Sequence, residues 1–476
     1  MNENENFDNF GGASVLASRI DASCRVPLLA LFGGAALWLV IGLALALVAS
    51  LNFHMPEKFG NYAWLTYGRV QPAANDAILY GFCIPAALGV MLWIFARLSQ
   101  TELVLPLVPV VAANIWHLGV LVGIVSILIG DSTGFMWLEF PRGSSVLLFA
   151  AFLLIAISAV ATFGQRKERE LYASHWFLLA ALLWFPWIYS TANLLIASGH
   201  PVRGVTQAVI GWWFADNLIF VWLALVGLGV AFYFLPKLAG KPLQSSHFAL
   251  FAFWTLILFA SWCGIPQGAP VPAWLPALSS VASALTIVPL IVIAIIFCKI
   301  ICGANSNCKG GPFCYIKFGT VAFLLSSLML IASGCPHFSK VVEFTWFGPA
   351  QEQLQILGFF AIVICGAIYE LLPRVMGFEL PLPKFVRVQH WLFMLGIILL
   401  VVPLAIGGIE QGLKNYSLES SLPFLRVSTT GLLFLLLGSL LFAANIFVMT
   451  FKWKLALIKS VIAYIKSPLE TAEVKP

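Results

Sequence analysis

Charge is scarce in this chain. Only 10% of its 476 residues are Asp, Glu, Lys or Arg, while 61% are hydrophobic. A water-soluble fold needs more polar surface than this to cover its core, so a soluble globular domain is excluded and the surrounding solvent must be lipid. Histidine is rarer still: there are seven, and only His117 falls well inside an apolar run. That leaves few imidazoles for transition-metal ligation. No phosphate-cradling loop is present, because the glycines at 33–34 and 240 lack the required frame. Nothing in the spacing suggests a nucleophile–base pair for acyl transfer, and no inverted internal repeat of the transporter kind is evident.

Disulfide frameworks are excluded by compartment and spacing. There are nine cysteines and no CxxC pair. Four of them, Cys298, Cys302, Cys308 and Cys314, surround one helix–loop–helix junction. They are either a soft-metal or redox cluster or small residues at helix ends. The first 25 residues are polar and acidic, without a basic start, an apolar core and a small-residue cleavage site. No cleaved signal peptide is therefore expected, and the first apolar run would serve as the insertion signal. The formal charge of +6 comes from basic residues in short loops. It reads as a topology signal and not as a nucleic-acid surface.

What is present is a series of apolar runs of about twenty residues or more, the length a helix needs to cross a hydrocarbon core of about 30 Å. Twelve are expected, near 26–52, 71–97, 103–130, 143–165, 172–198, 210–235, 244–264, 277–301, 315–335, 350–373, 388–409 and 423–450. The fold class is accordingly an all-α membrane protein, with a polar segment at 1–25, a spanning domain over 26–450 and a basic tail at 451–476. With both termini placed in the cytoplasm, 19 of the 26 Lys and Arg residues fall on the inner side, the asymmetry the positive-inside rule requires. The tail from 452 mixes apolar residues with Lys452, Lys454, Lys459 and Lys466. It either lies on the inner leaflet as an amphipathic helix or extends the last span. Aromatic residues near span ends, such as Trp184, Trp187 and Trp212, fit a membrane-interface belt.

Several stretches, in order, resemble subunit I of the heme-copper oxidases, most of all the cytochrome cbb-type branch. They are GRVQPAANDAILY at 68–80, RKERELYASHWF at 166–177, WWFADNLIFVWLALVGLGVAFYFLPK at 212–237, FWTLILFASWCG at 253–264 and the glycine-rich close of the eleventh span around 388–415. The resemblance covers roughly residues 30–450. It implies a twelve-helix bundle in the cell's inner membrane and membrane partner subunits, among them membrane-anchored cytochrome c proteins. It also implies two hemes and one copper, held by histidines of the second, sixth and tenth helices and a pair after the seventh.

The residues depart from that pattern where the metals would sit. The second-helix ligand position falls on Ala74 and the sixth-helix position on Asp216. The pair after the seventh helix falls on Pro266 and Gln267, and the tenth-helix pair on Gln351 and Gln353. The redox tyrosine position falls on Ala260. Neutral amide oxygen is a weak donor to heme iron. His117 lacks a histidine partner at comparable depth, with a methionine such as Met91 as the alternative. No heme, copper or other metal is therefore expected in this chain. Asp76, Asp216 and Glu352 are expected near the outer ends of their helices around a polar cavity, which either accepts protons, cations or a small polar ligand or simply fills the vacated volume. Three functions follow: a docking subunit of a respiratory-type electron-transfer complex, an oxidase or nitric-oxide-reductase-like enzyme with substitute ligands, or a proton or cation pathway.

Overall fold

The computed structural model describes residues 3–59, 61–197, 200–243, 245–304, 310–414 and 418–470, with side chains from residue 15 to 462 apart from 418–419. Among the described residues, eleven helices are long and apolar enough to cross a bilayer. In chain order they are α1 (Val15–Leu51), α2 (Tyr67–Ser99), α3 (Leu107–Ile129), α4 (Arg142–Gly164), α5 (Ala173–Ile196) and α6 (Val205–Ala239), then α8 (Trp274–Cys302), α9 (Pro312–Ser333), α10 (Phe347–Met376), α11 (Pro383–Lys414) and α12 (Ser420–Ile462). Between α6 and α8 lies α7 (Ser246–Ala260), which is apolar but only 15 residues long. At about 1.5 Å per residue it is shorter than the hydrocarbon thickness. The apolar run expected over 244–264 includes the turn Ser261–Gly264, which leaves the helix and carries Gly264 at φ +94°.

Three helices form the interior. In their most apolar stretches α2 is 100% buried, α6 94% and α10 89%, whereas the other long helices bury 33–50%. The inner helices are hydrophobic on all sides and have no face left for lipid. Small residues let their neighbours come close. A methyl group added to Gly81 of α2 would meet Trp38 of α1 at 2.6 Å, and one added to Gly366 of α10 would meet Tyr315 of α9 at 2.7 Å.

Each inner helix also contains one wide π-type segment: Ala77–Cys83 in α2, Asn217–Trp222 in α6 and Leu354–Ala361 in α10. Such segments shift the hydrogen-bond ladder by a residue and leave carbonyls in need of donors. Trp116 Nε1 donates to the Tyr80 carbonyl at 2.7 Å. Gln355 Nε2 donates to the Ile219 carbonyl at 3.3 Å, joining the segments of α10 and α6.

At its start α1 runs on into the stretch read as a polar segment: residues 15–25 are helical, and Asp21 and Cys24 are buried. At the other end the chain continues from α12 as one helix to Glu470, so the tail extends the last span, and its described side chains from 454 to 462 are exposed.

Candidate functional site

The three inner helices place their polar residues immediately before the π segments. Asp76 precedes the one in α2, Asp216 the one in α6, and the run Gln351–Glu352–Gln353 the one in α10. The structure brings Asp76, Asp216 and Glu352 together through a fourth carboxyl that sequence reasoning missed, Glu139. Asp76 and Glu139 are near enough for each charge to act on the other, and Glu139 and Glu352, then Glu352 and Asp216, are neighbours in the same sense. No basic side chain acts on any of the four. Both oxygens of Asp76, and one each of Glu139 and Asp216, are buried without a hydrogen-bond partner among the described residues.

Glu139 belongs to the connection between α3 and α4, which folds inward over that end of the bundle. Trp137, Leu138, Glu139 and Phe140 are all buried in succession. Thr133 Oγ1 donates to the Leu138 carbonyl at 2.6 Å, and Tyr80 of α2 donates its hydroxyl to the Trp137 carbonyl at 2.6 Å. Trp137 holds φ +64°, a left-handed conformation that is costly for a bulky residue and persists only where the surroundings enforce it. Glu352 approaches its indole. Burial pushes the Glu139 carboxyl up to about 8, because a charge removed from water is disfavoured. The signal for this plug was the sequence Phe135–Phe140, six residues with five large apolar side chains in a segment that a surface loop would leave polar.

The positions expected to correspond to metal ligands have different surroundings. Ala74 is fully buried where α2 runs against α1: a methyl added to Gly42 would come within 3.3 Å of the Ala74 carbonyl oxygen and 2.7 Å of Ile78. Asp216 is covered by the turn after α7, since a methyl at Gly264 would lie 2.8 Å from its carboxyl carbon. Positive φ and this close approach together make glycine necessary at 264.

Pro266, Gln267 and Gln351 meet on a different feature, an outward-facing cleft of about 280 Å³ that also includes Trp212, Ser280 and Glu343. Gln267 is engaged there, its side-chain amide donating to the Pro276 carbonyl at 2.9 Å and to Ser280 Oγ at 2.6 Å. The backbone amides of Gln267 and Gly268 both donate to the Glu343 carboxylate. Gln353 is half-buried at the last ordinary turn of α10 before its π segment. Ala260 borders a void of about 20 Å³ between Phe220, Thr286, Leu290 and Gln355, room for roughly one water.

Among the described residues, no group of three or more His, Cys, Asp or Glu side chains converges in a way that could hold a metal. His117 lies flat against Gly34 of α1, and neither ring nitrogen makes a hydrogen bond among the described residues. Met91 is buried on α2. Of the cysteine cluster, Cys298 and Cys302 are exposed and Cys314 is buried, while Cys308 lies outside the described residues.

Comparison with known proteins agrees with this architecture. The model of the family described as cytochrome c and quinol oxidase polypeptide I matches residues 26–430. The chain is 24% identical over 438 residues to the Cbb3-type cytochrome c oxidase subunit CcoN1 of Stutzerimonas stutzeri, a match covering 88% of this chain and 92% of that protein. It is 25% identical over 439 residues to the cytochrome c oxidase subunit 1 homolog of Azorhizobium caulinodans, covering 87% and 80%. Among solved structures it is similar to a heme-copper terminal oxidase dimer determined by cryo-electron microscopy, with a TM-score of 0.75 and 14% identity over 90% of this chain and 84% of that one. At that identity the likeness is one of fold.

Proposed function

This chain belongs to the cytochrome c and quinol oxidase polypeptide I family, and from that premise we propose that it is a docking subunit of a respiratory-type electron-transfer complex rather than a metal-bearing catalyst. The single observation that carries the reading is chemical. The positions aligned with the family's ligands hold methyl, carboxylate, imino-acid and amide side chains at Ala74, Asp216, Pro266, Gln267, Gln351 and Gln353. Iron and copper in such proteins are held by nitrogen, thiolate or thioether donors.

Packing at the same positions supports it. The turn at Gly264 occupies the space over Asp216, and Gln267 is committed to Pro276 and Ser280. The position of the redox tyrosine borders only a water-sized void. These residues do not fit two hemes and a copper.

On this reading the chain is a multi-pass protein of the cytoplasmic membrane with both termini inside, as its 19 inner basic residues out of 26 suggest. Its partners are other membrane subunits, membrane-anchored cytochrome c proteins among them, which carry the redox groups. A conducting role for the acidic cluster is the second reading, motivated by the unpartnered oxygens of Asp76, Glu139 and Asp216. It is weakened by the apolar filling of the inner helices below the π segments, from Ile84 to Phe95 in α2 and from Leu223 to Val230 in α6.

The test is a heme stain and an optical spectrum of the purified chain, together with identification of the polypeptides that accompany it. The expected result is heme on a co-purifying subunit and none in stoichiometric amount on this chain. One heme per copy of this chain would overturn the proposal.

A further inference from the structure

A groove unrelated to the carboxyl cluster lies at the opposite, lysine-rich end of the bundle. It is a cavity of about 430 Å³ between the start of α7 and the end of α8, within the range of ordinary ligand sites, about 300–1,000 Å³. Its walls are apolar, with Phe248 on one side and Val292, Ile296 and Ile300 on the other. Lys241 and Lys299 stand in the same lining. Lys241 reaches across the end of α8: a methyl added to Gly303 would sit 3.6 Å from its Cε.

The two lysines are uncompensated. Both are exposed, and neither forms an ion pair among the described residues. The sequence offers them nothing nearby, because no Asp or Glu occurs anywhere between Asp216 and Glu343. The first turn of α7 adds to the same sign. Ser245 caps it by accepting from the Phe248 amide at 3.4 Å, and the amides ahead of Phe248 carry the positive end of the helix dipole. Two cations and a helix N-terminus therefore stand at one end of an apolar groove on the membrane-facing side of the bundle.

We propose that this groove binds an anionic membrane phospholipid, its phosphate held by Lys241 and Lys299 and one acyl chain lying along Phe248, Val292 and Ile296. The charge complement selects an anionic headgroup over a zwitterionic one, and the apolar walls select a lipid over a free phosphate. The site is separate from the docking role proposed above and does not depend on it.

The experiment is native mass spectrometry of the full chain in its complex, titrated with phosphatidylglycerol and, separately, with phosphatidylcholine of the same acyl composition. The expected result is a preference for phosphatidylglycerol of roughly tenfold or more, since each lysine near a headgroup contributes on that order. Lys241→Gln with Lys299→Gln should abolish the preference while leaving the melting temperature unchanged. Ile296→Trp, which fills the groove and keeps both lysines, should weaken retention of either lipid. Equal binding of the two lipids by the unaltered chain would overturn the proposal, as would an undiminished preference in the double variant. Displacement of the lipid by glycerol phosphate at equal concentration would also overturn it, because the groove would then be reading the headgroup alone.

Discussion

The two ends of the bundle handle buried charge in opposite ways. At the lysine-rich end, Asp21 of α1 is buried but saturated: Trp93 Nε1 donates to it at 2.8 Å, and Arg97 donates to both of its oxygens. Arg25 is tied to the Val375 carbonyl at 2.7 Å, Arg374 is paired with Glu370, and Lys237 sits 3.6 Å over the ring of Tyr233. At the other end Asp76, Glu139, Glu352 and Asp216 adjoin one another with no cation among them. A buried carboxylate is tolerated when paired and hydrogen-bonded, whereas an unpaired one takes up a proton instead. One end is thus a lock built from opposite charges, and the other gathers charge of one sign.

The comparison breaks most visibly at Asp21. Asp21→Ala leaves the Arg97 guanidinium at 20% exposure without its counter-ion, and loss of one partner of such a pair costs about 3–5 kcal/mol. A large drop in the thermal midpoint of the detergent-solubilised protein is the expected result, and an unchanged midpoint would mean that the pair is not a lock.

A smaller effect of opposite sign is expected at Glu139. Its folded-state value of about 8 lies above the ordinary carboxyl value of 4.5. The folded form therefore holds a proton that the unfolded form has lost between those two pH values. The stability associated with this group is fully present below about 4.5 and is lost as pH rises through about 8. Glu139→Gln should leave melting at pH 5 nearly unchanged and raise it by a few degrees at pH 9. Equal shifts at both pH values would show that packing, and not titration, is responsible.

The smallest effect is expected from removing charge elsewhere in the cluster. Asp216→Asn combined with Glu352→Gln should leave assembly of the complex intact, as measured by co-purification of the partner subunits. Failure to assemble would assign these carboxyls a role beyond filling the volume.

Much of the architecture was legible in the sequence because lipid imposes a strong rule: each crossing must be a long apolar helix with its backbone satisfied internally. The order of the helices and the acidic residues within them could be read from residues alone. Glu139 could not. It sits in a connection, and only the inward fold of residues 131–141 turns an interfacial carboxylate into a core one. The surroundings of the ligand-aligned positions were equally hidden, since Ala74 meets α1 while Gln267 and Gln351 line an open cleft. Alignment to a pattern gives depth along a helix and says little about the direction a side chain takes across a π segment.

Composition by itself determined that this is a membrane-embedded helical protein, because 61% apolar residues cannot be hidden in water. It also determined how few imidazoles the chain has, seven in all. The tertiary structure alone decided which three helices lie inside, where the short α7 gives way to the turn over Asp216, and which charges find partners. Those outcomes depend on contacts between residues far apart in the chain, and burial acquires its electrostatic cost only when such contacts exclude water.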